Sequence, residues 1–241
     1  MSKETFQTLF ARYLDVERTQ SVAVEDIIPT DETQFAAVGK LGLYPAEKCI
    51  SIVTDKTTPY YLLDNMAVLD EPLHLEYQGE TYLFNQVEQL FLTPRMKNPE
   101  AHKWLMEHLF FGRGKKGRVD GRLKKLYKTK REHVQRDDWE HIQTEWMKAV
   151  LTVKYRQCRP FRELLHSTGN AILIEDATKT GYSSACYWGA KLICHEGKNY
   201  FAGGNTMGKI LMLLRDRKGQ LTYSIPDDLH LFGIKFSEFV W

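Results

Sequence analysis

Residues 137–171 read DDWEHIQTEWMKAVLTVKYRQCRPFRELLHSTGNA, and this stretch decides the fold. Trp139, Ile142, Trp146, Ala149, Val150 and Val153 recur at helical spacing, which gives one long helix with an apolar face. Asp137 and Glu140 stand three residues apart at its start, the spacing of a capping box. Pro160 opens a shorter helix over Phe161–Ser167, and Gly169 terminates it. The apolar run Ala171–Ile174 then suits a buried strand. Two helices leading into a short strand predict a helix-rich α+β domain rather than a regular α/β alternation.

Toward the C-terminus, Asn205 is the candidate cap of a helix whose Met207, Ile210, Leu211 and Leu214 share one face, with Gly219 beyond its end. The tail Leu221–Trp241 holds one expected strand and an aromatic terminus. Toward the N-terminus, strands are expected at Cys49–Val53, Leu73–Tyr77 and Thr81–Phe84, with Gln78-Gly79-Glu80 as the turn between the last two. Asn85 is placed to cap a helix through Val87, Leu90 and Phe91, which Pro94 disturbs. A further helix is expected from Pro99, with Ala101, Trp104, Leu105 and Leu109 as its stripe. Phe6, Leu9, Phe10, Tyr13 and Leu14 form a helical stripe within Glu4–Gln20. The expected division is an N-terminal helical extension over 1–50, a domain over 51–218, and a tail over 219–241 that packs on the domain.

With 43% hydrophobic and 27% charged residues among 241, the composition is ordinary for a globular chain. No run of 18 apolar residues is present, and MSKETFQTLF lacks the basic start and apolar stretch of a signal peptide. A cytoplasmic protein without a membrane partner is expected. Cys49, Cys158, Cys186 and Cys194 show no C-x-x-C pairing, and the eight histidines show no metal-ligand spacing, so free thiols and no metal are expected. A nucleophile elbow and a dinucleotide fingerprint are both missing. Net charge is only +2, but Gly112–Arg136 reads GRGKKGRVDGRLKKLYKTKREHVQR, with Asp120 and Glu132 as its only acids. Such a block suits a polyanion, and Arg113, Lys115, Lys116 and Arg118 are the candidate phosphate or nucleic-acid contacts.

Three ordered motifs carry more information. The first is Leu63-Asp64-Asn65-Met66-Ala67, followed by Gly79 and Gln86-Val87-Glu88-Gln89. The second runs from Trp139 through V-K-Y-R-Q to L-L-H-S-T-G-N-A, ending at Ala171. The third is Tyr187-Trp188-Gly189, then Gly203-x-Asn205-x-x-Gly208-Lys209-x-Leu211-Met212-x-x-Arg215. Together they resemble the NADAR family of small N-glycosidases from about Tyr60 to Arg217. The resemblance implies hydrolysis of an N-glycosidic bond, with no cofactor. One branch of the family removes ADP-ribose from guanine in nucleic acid, in settings that include defence and counter-defence between phage and bacteria. Another acts on ribosylated pyrimidine intermediates of riboflavin synthesis.

Cleaving a ribosyl–nitrogen bond builds positive charge on the anomeric carbon and negative charge on the leaving base. A carboxylate, a proton source and donors for the diphosphate are therefore needed. Glu88 is the candidate catalytic carboxylate. Asn65, Arg95, Trp188, Gly189, Gly203 and Asn205 are the candidate substrate-binding residues, with Trp188 offering a face on which a base can stack. Asn205 is equally explained as a helix cap; Glu175 and Asp176 are candidates for a second carboxylate, with a solvated strand end as the stronger reading. For the candidates to act together, Asn65, Glu88, Trp188 and Asn205 have to line one nucleotide-sized cavity.

The chain departs from the family where a lysine usually follows seven residues after the glutamate. That position is Arg95, and a guanidinium stays protonated and does not become a nucleophile. The acid three residues before Trp-Gly is Ala185, and the aspartate of T-G-D is Asn170. Two classes of function stay open. One is an active N-glycosidase whose partner is ADP-ribosylated DNA or RNA. The other is a non-catalytic binder of ADP-ribose, a related nucleotide or modified nucleic acid. No residue singles out the third option, a riboflavin-intermediate hydrolase.

Overall fold

The computed structural model describes residues 42–100, 102–103, 135–179, 187–195 and 197–241. In chain order these form β1 (Gly42–Pro45), β2 (Cys49–Ile52), β3 (Leu73–Tyr77), β4 (Glu80–Phe84), α1 (Val87–Leu92), α2 (Trp139–Gln157), α3 (Arg159–Ser167), β5 (Ile172–Glu175), β6 (Ala190–His195), β7 (Lys198–Gly203), α4 (Thr206–Asp216), β8 (His230–Leu231) and β9 (Ile234–Lys235). The class is α+β. The helix expected at Glu4–Gln20 lies outside the described residues, as do Trp104, Leu105 and Leu109 of the helix expected from Pro99. No helix among the described residues is long and apolar enough to cross a membrane. The chain divides into two compact units. One takes the described residues up to Asp64 with Pro160–Leu221, the other Asn65–Arg159 with Thr222–Trp241.

In the first unit, β5 pairs in parallel with β2, from Cys49↔Ile172 to Ile52↔Glu175. Ile172, Leu173 and Ile174 are all buried, as a strand covered on both faces requires. α4 lies against this strand so closely that a Cβ on Gly208 would stand 2.1 Å from the Leu173 carbonyl oxygen. Buried Arg215, in the last turn of α4, donates to Thr168 Oγ1 at 3.0 Å and to the Ala171 carbonyl at 2.9 Å. It thereby ties α4 to the α3–β5 turn, where Gly169 adopts φ +57°. A second, antiparallel sheet has the order β1-β7-β6. Sequence periodicity missed these three strands. In β6, Leu192 and Cys194 are exposed while Lys191 and Ile193 are half-buried, so apolar and polar residues do not alternate.

In the second unit, β3 and β4 form a hairpin from Leu73↔Phe84 to Tyr77↔Glu80. Gln78 (φ 49°) and Gly79 (φ 84°) supply the two positive φ angles of a tight hairpin turn. Leu73 and Leu75 point inward and His74 and Glu76 outward, the period-2 pattern of a half-buried strand. α2 is buried all round from Trp146 to Tyr155, as a central helix must be. Trp146 donates its indole N–H to the Phe91 carbonyl at 3.1 Å, and Trp139 packs 5.2 Å from the Phe91 ring. The expected capping box at Asp137 does not form. Asp138 is the N-cap position, its side chain holds Arg136 at 2.9 Å, and Asp137 pairs with Lys97 at 2.8 Å. Nearby charge outcompetes the helix amides for both carboxylates. The hydrogen bonds from Arg136 also hold the Asp138 carboxyl below its usual range.

The end of the chain belongs to this second unit. Val240 exchanges backbone hydrogen bonds with Glu76, Phe236 meets Trp146 edge-on at 4.7 Å, and Arg156 lies 4.5 Å over the Trp241 ring. Two short strands, β8 and β9, replace the single one expected. In their turn Phe232 takes φ +57°, a conformation that costs a bulky residue about 1–2 kcal/mol. Its ring stacks on Tyr82 at 4.8 Å, and its N–H donates to His102 Nδ1 at 2.8 Å. The other ring nitrogen of buried His102 faces the Met96 carbonyl at 2.6 Å. Only the neutral tautomer carrying its proton on Nε2 serves both bonds.

Burial pushes His102 below the ordinary 6.5, with the charge of His230 adding to the shift and the Met96 carbonyl opposing it. A lowered folded pKa means that the stability is fully present above about pH 6.5 and is lost as pH falls toward the folded value. The urea midpoint is expected to decline between about pH 7 and pH 5, and His102→Gln to flatten that decline. An equal decline in the variant would refute the assignment.

Candidate functional site

Glu88 sits in the first turn of α1, half-buried, and its N–H donates to the Asn65 carbonyl at 3.1 Å. The cap of this helix is Gln86, not Asn85. Gln86 is extended at φ −145°, donates its N–H to Gln89 Oε1 at 3.1 Å, and sends its amide to the Met66 carbonyl at 2.8 Å. These bonds clamp the 64–67 turn to the helix and fix where the Glu88 side chain starts. Asn65 is held from the other side, since its amide nitrogen lies 3.4 Å from Met147 Sδ on α2. Its Oδ1 is buried with no hydrogen-bond partner among the described residues. Turning the amide over would set the oxygen against the thioether sulfur, which donates nothing, and leave the nitrogen in the partnerless position, so the amide is no better satisfied. A buried orphan costs about 1–3 kcal/mol and calls for an explanation. A donor on a ligand supplies one.

Arg95 closes a short 3-10 turn after α1. Its Nε donates to Gln135 Oε1 at 2.9 Å, its guanidinium lies 5.6 Å over the Trp139 ring, and its carbonyl accepts the Arg136 N–H. It is anchored by stacking and hydrogen bonding, which fits a charge presented in place and not a migrating nucleophile. The same unit has a cleft of about 560 Å³ lined by Met96, Lys97, His102, Arg136, Asp228 and His230 among others. Neither Glu88 nor Asn65 lines it. Its cations are already paired, Lys97 with Asp137 and Arg136 with Asp138 and Asp228.

The first unit holds the other candidates. Asn205 has no exposed surface, sits in the left-handed region at φ 48°, and makes no side-chain cap to α4. Its Nδ2 donates to the Leu173 carbonyl at 2.8 Å and its Oδ1 accepts the Glu175 N–H at 3.0 Å. Both ends of the amide therefore serve β5, which corrects the expectation of a helix cap and leaves no end of the amide for a ligand. Its own N–H donates to the Gly189 carbonyl and the Met207 N–H to the Trp188 carbonyl, so the Trp-Gly turn hangs on the start of α4. Trp188 is half-buried, with the Tyr187 ring edge-on at 4.8 Å. Gly203 pairs with Gly42 on one side and Ala190 on the other, a buried position in the middle strand of its sheet.

Gly189 is glycine for a spatial reason. A Cβ there would lie 2.5 Å from the Glu175 carbonyl oxygen and 3.3 Å from Glu175 Cγ. Glu175 thus runs over the Trp-Gly turn and is half-buried, not a solvated strand end. A carboxylate after an apolar strand ordinarily meets water, which makes a solvated strand end the stronger expectation from sequence. Lys154 in V-K-Y-R-Q was not a candidate either, yet it has no exposed surface. A lysine following Ala149, Val150, Leu151 and Val153 and preceding Tyr155 was the available signal. Asp176 is occupied by Ser51 at 2.7 Å and the Thr178 N–H at 2.9 Å.

The four expected partners therefore appear as two pairs, Asn65 with Glu88 in one unit and Trp188 with Asn205 in the other. Arg113, Lys115, Lys116, Arg118 and Ala185 lie outside the described residues. Among the described residues no cluster of His, Cys, Asp or Glu suits a metal ion. Cys49, Cys158 and Cys194 are free thiols. Burial, helped by Glu47, pushes the Cys49 thiol up to about 12, far from a reactive thiolate.

Comparison with known proteins gives three findings. No curated protein matches the chain. Among solved structures, the NMR structure of the E. coli protein YbiA is similar, with 20% identity over 70% of this chain and 84% of that one and a TM-score of 0.47. The family model of the NADAR domain matches residues 53–217, well over half of the sequence and across all three motifs. On that match, the chain belongs to the NADAR family.

Proposed function

We propose that this protein is an N-glycosidase that hydrolyses the bond between ADP-ribose and guanine in DNA or RNA. Family membership supports the coarser part of this reading, an N-glycosidase-type domain. The observation that carries the finer part is a buried, unsatisfied Asn65 Oδ1 on a clamped turn whose Asn65 carbonyl also accepts the Glu88 N–H. A ribose hydroxyl is a donor that suits such an oxygen, and in this reading the Glu88 carboxylate stabilises positive charge at the anomeric carbon. Glu88 then takes a proton from the attacking water as the C1′–N bond breaks and the base leaves with a proton from solvent. Arg95 serves as a fixed positive charge for the diphosphate.

A second reading, a binder without turnover, is favoured by Arg95 at the position where the family carries lysine. A third, hydrolysis of a small ribosylated pyrimidine, is separated by substrate. Time courses with guanine-ADP-ribosylated oligonucleotide and with a ribosylated pyrimidine are expected to show release only from the first. Faster release from the pyrimidine would overturn the nucleic-acid assignment.

A further inference from the structure

We propose that the open edge of β4 pairs with the same edge of a second copy of this chain, joining two hairpins into one continuous antiparallel sheet. Hydrogen bonding on the opposite edge fixes which backbone groups point outward. On β3, the His74 N–H donates to Gln157 Oε1 at 2.9 Å, and Gln157 Nε2 donates to the His74 carbonyl at 2.8 Å. Glu76 exchanges both backbone bonds with Val240 at 2.9 Å. His74 and Glu76 therefore face away from β4, and Leu73, Leu75 and Tyr77 face it, opposite Phe84, Tyr82 and Glu80. By the same alternation the N–H and carbonyl groups of Thr81 and Leu83 point away from β3. Neither residue has a hydrogen-bond partner on that side among the described residues, and both are exposed, Leu83 at 52%.

An edge strand is ordinarily protected by a lysine, a proline or a bulge. Glu80–Phe84 reads ETYLF and pairs with β3 in unbroken register, so it carries none of these. The symmetry of the edge names its occupant. A two-fold axis through Tyr82 sets Thr81 against the partner's Leu83 and Leu83 against the partner's Thr81, and each pair exchanges both backbone bonds. Glu80 then falls opposite the partner's Phe84, so no like charges meet. An axis through Thr81 would place Leu83 against the partner's Gly79, in the turn. An axis through Leu83 would need Asn85, whose carbonyl already accepts the Leu69 N–H. Only the Tyr82 axis uses the whole edge. A strand of 5 residues is about 17 Å long, too short to bury the roughly 1,200 Å² of a stable complex, so the dimer is weak and concentration-dependent.

The test is sedimentation equilibrium of the full chain at rising concentration, for wild type and two double variants. Wild type is expected to climb from the mass of one chain to that of two and stop there, since pairing uses up the edge. Thr81→Glu with Leu83→Glu sets Glu against Glu in both pairs and should weaken association about tenfold, with the melting temperature unchanged. Thr81→Lys with Leu83→Glu sets Lys against Glu in both pairs and should dimerise at least as well as wild type. In wild type, hydrogen exchange at the Thr81 and Leu83 amides is expected to slow as concentration rises, while Tyr82, already paired with Leu75, stays constant. That readout decides the matter if either variant fails to fold. Wild type that remains monomeric overturns the proposal and leaves the edge to an extended segment of another protein. Undiminished association of the Glu–Glu variant, its loss in the Lys–Glu variant, growth beyond a dimer, or Thr81 and Leu83 exchange that ignores concentration overturns it as well.

Discussion

Replacing Glu88 with glutamine is expected to slow release of ADP-ribose from guanine by about 10²–10⁴-fold, the usual contribution of a positioned acid–base group. The substitution keeps size and hydrogen-bonding reach but removes the charge that faces the developing cation. A purely structural acid in the first turn of α1 would behave differently. Its interaction with the helix dipole is worth about 0.3–1 kcal/mol, so its loss would shift the melting temperature by a few degrees and leave the rate alone. The two roles separate cleanly by comparing rate with melting temperature. A variant that melts slightly lower and releases ADP-ribose at the wild-type rate would remove Glu88 from the chemistry.

Gly208→Ala is expected to lower stability by about 3 kcal/mol, or roughly 6–12 °C in melting temperature. Helix propensity alone predicts the opposite, since alanine is better than glycine in a helix interior by about 1 kcal/mol. Packing decides the sign. The new methyl carbon would meet the Leu173 carbonyl oxygen at 2.1 Å and the Asn205 amide at 2.5 Å. The first obstacle is backbone of a buried strand and cannot swing aside. Relief requires α4 to move off β5, which breaks the two Asn205 bonds that hold that strand. Thermal melting of the variant checks this, and a neutral or stabilising result would show that the helix–strand contact is looser than described.

The parts of the fold that announced themselves in the sequence are those set by local periodicity. Trp139, Ile142, Trp146 and Val150 marked α2 because its buried face repeats every three to four residues, and Leu73 and Leu75 marked β3 by alternation. The ends were less legible. Asp137 and Asn85 carry good capping chemistry, yet Lys97 claims the first and Gln86 takes the place of the second. Strands β6 and β7 escaped notice because the hairpin keeps Leu192 and Cys194 in solvent and ends on Gly203.

For the site, family motifs mark segments without distinguishing contact from support. Asn205, Gly208 and Arg215 make the third motif recognisable, and each is engaged in joining α4 to β5 or to the α3–β5 turn. The partners of the Asn205 amide lie 30 and 32 residues away, where no local pattern reports them. Glu175 was hidden for the same reason, since only the packing of Gly189 shows where its side chain runs. The orphaned oxygen of Asn65 is likewise a property of the folded turn and not of the Asp-Asn dipeptide.

Turnover number is the most direct measurement of whether this chain hydrolyses its ligand or merely keeps it. Wild-type protein is mixed with a large excess of guanine-ADP-ribosylated oligonucleotide, and free ADP-ribose is counted per protein molecule. Many equivalents of ADP-ribose, together with unmodified guanine in the oligonucleotide, are expected. A stoichiometric complex that retains the modified strand and frees no ADP-ribose would contradict the glycosidase account.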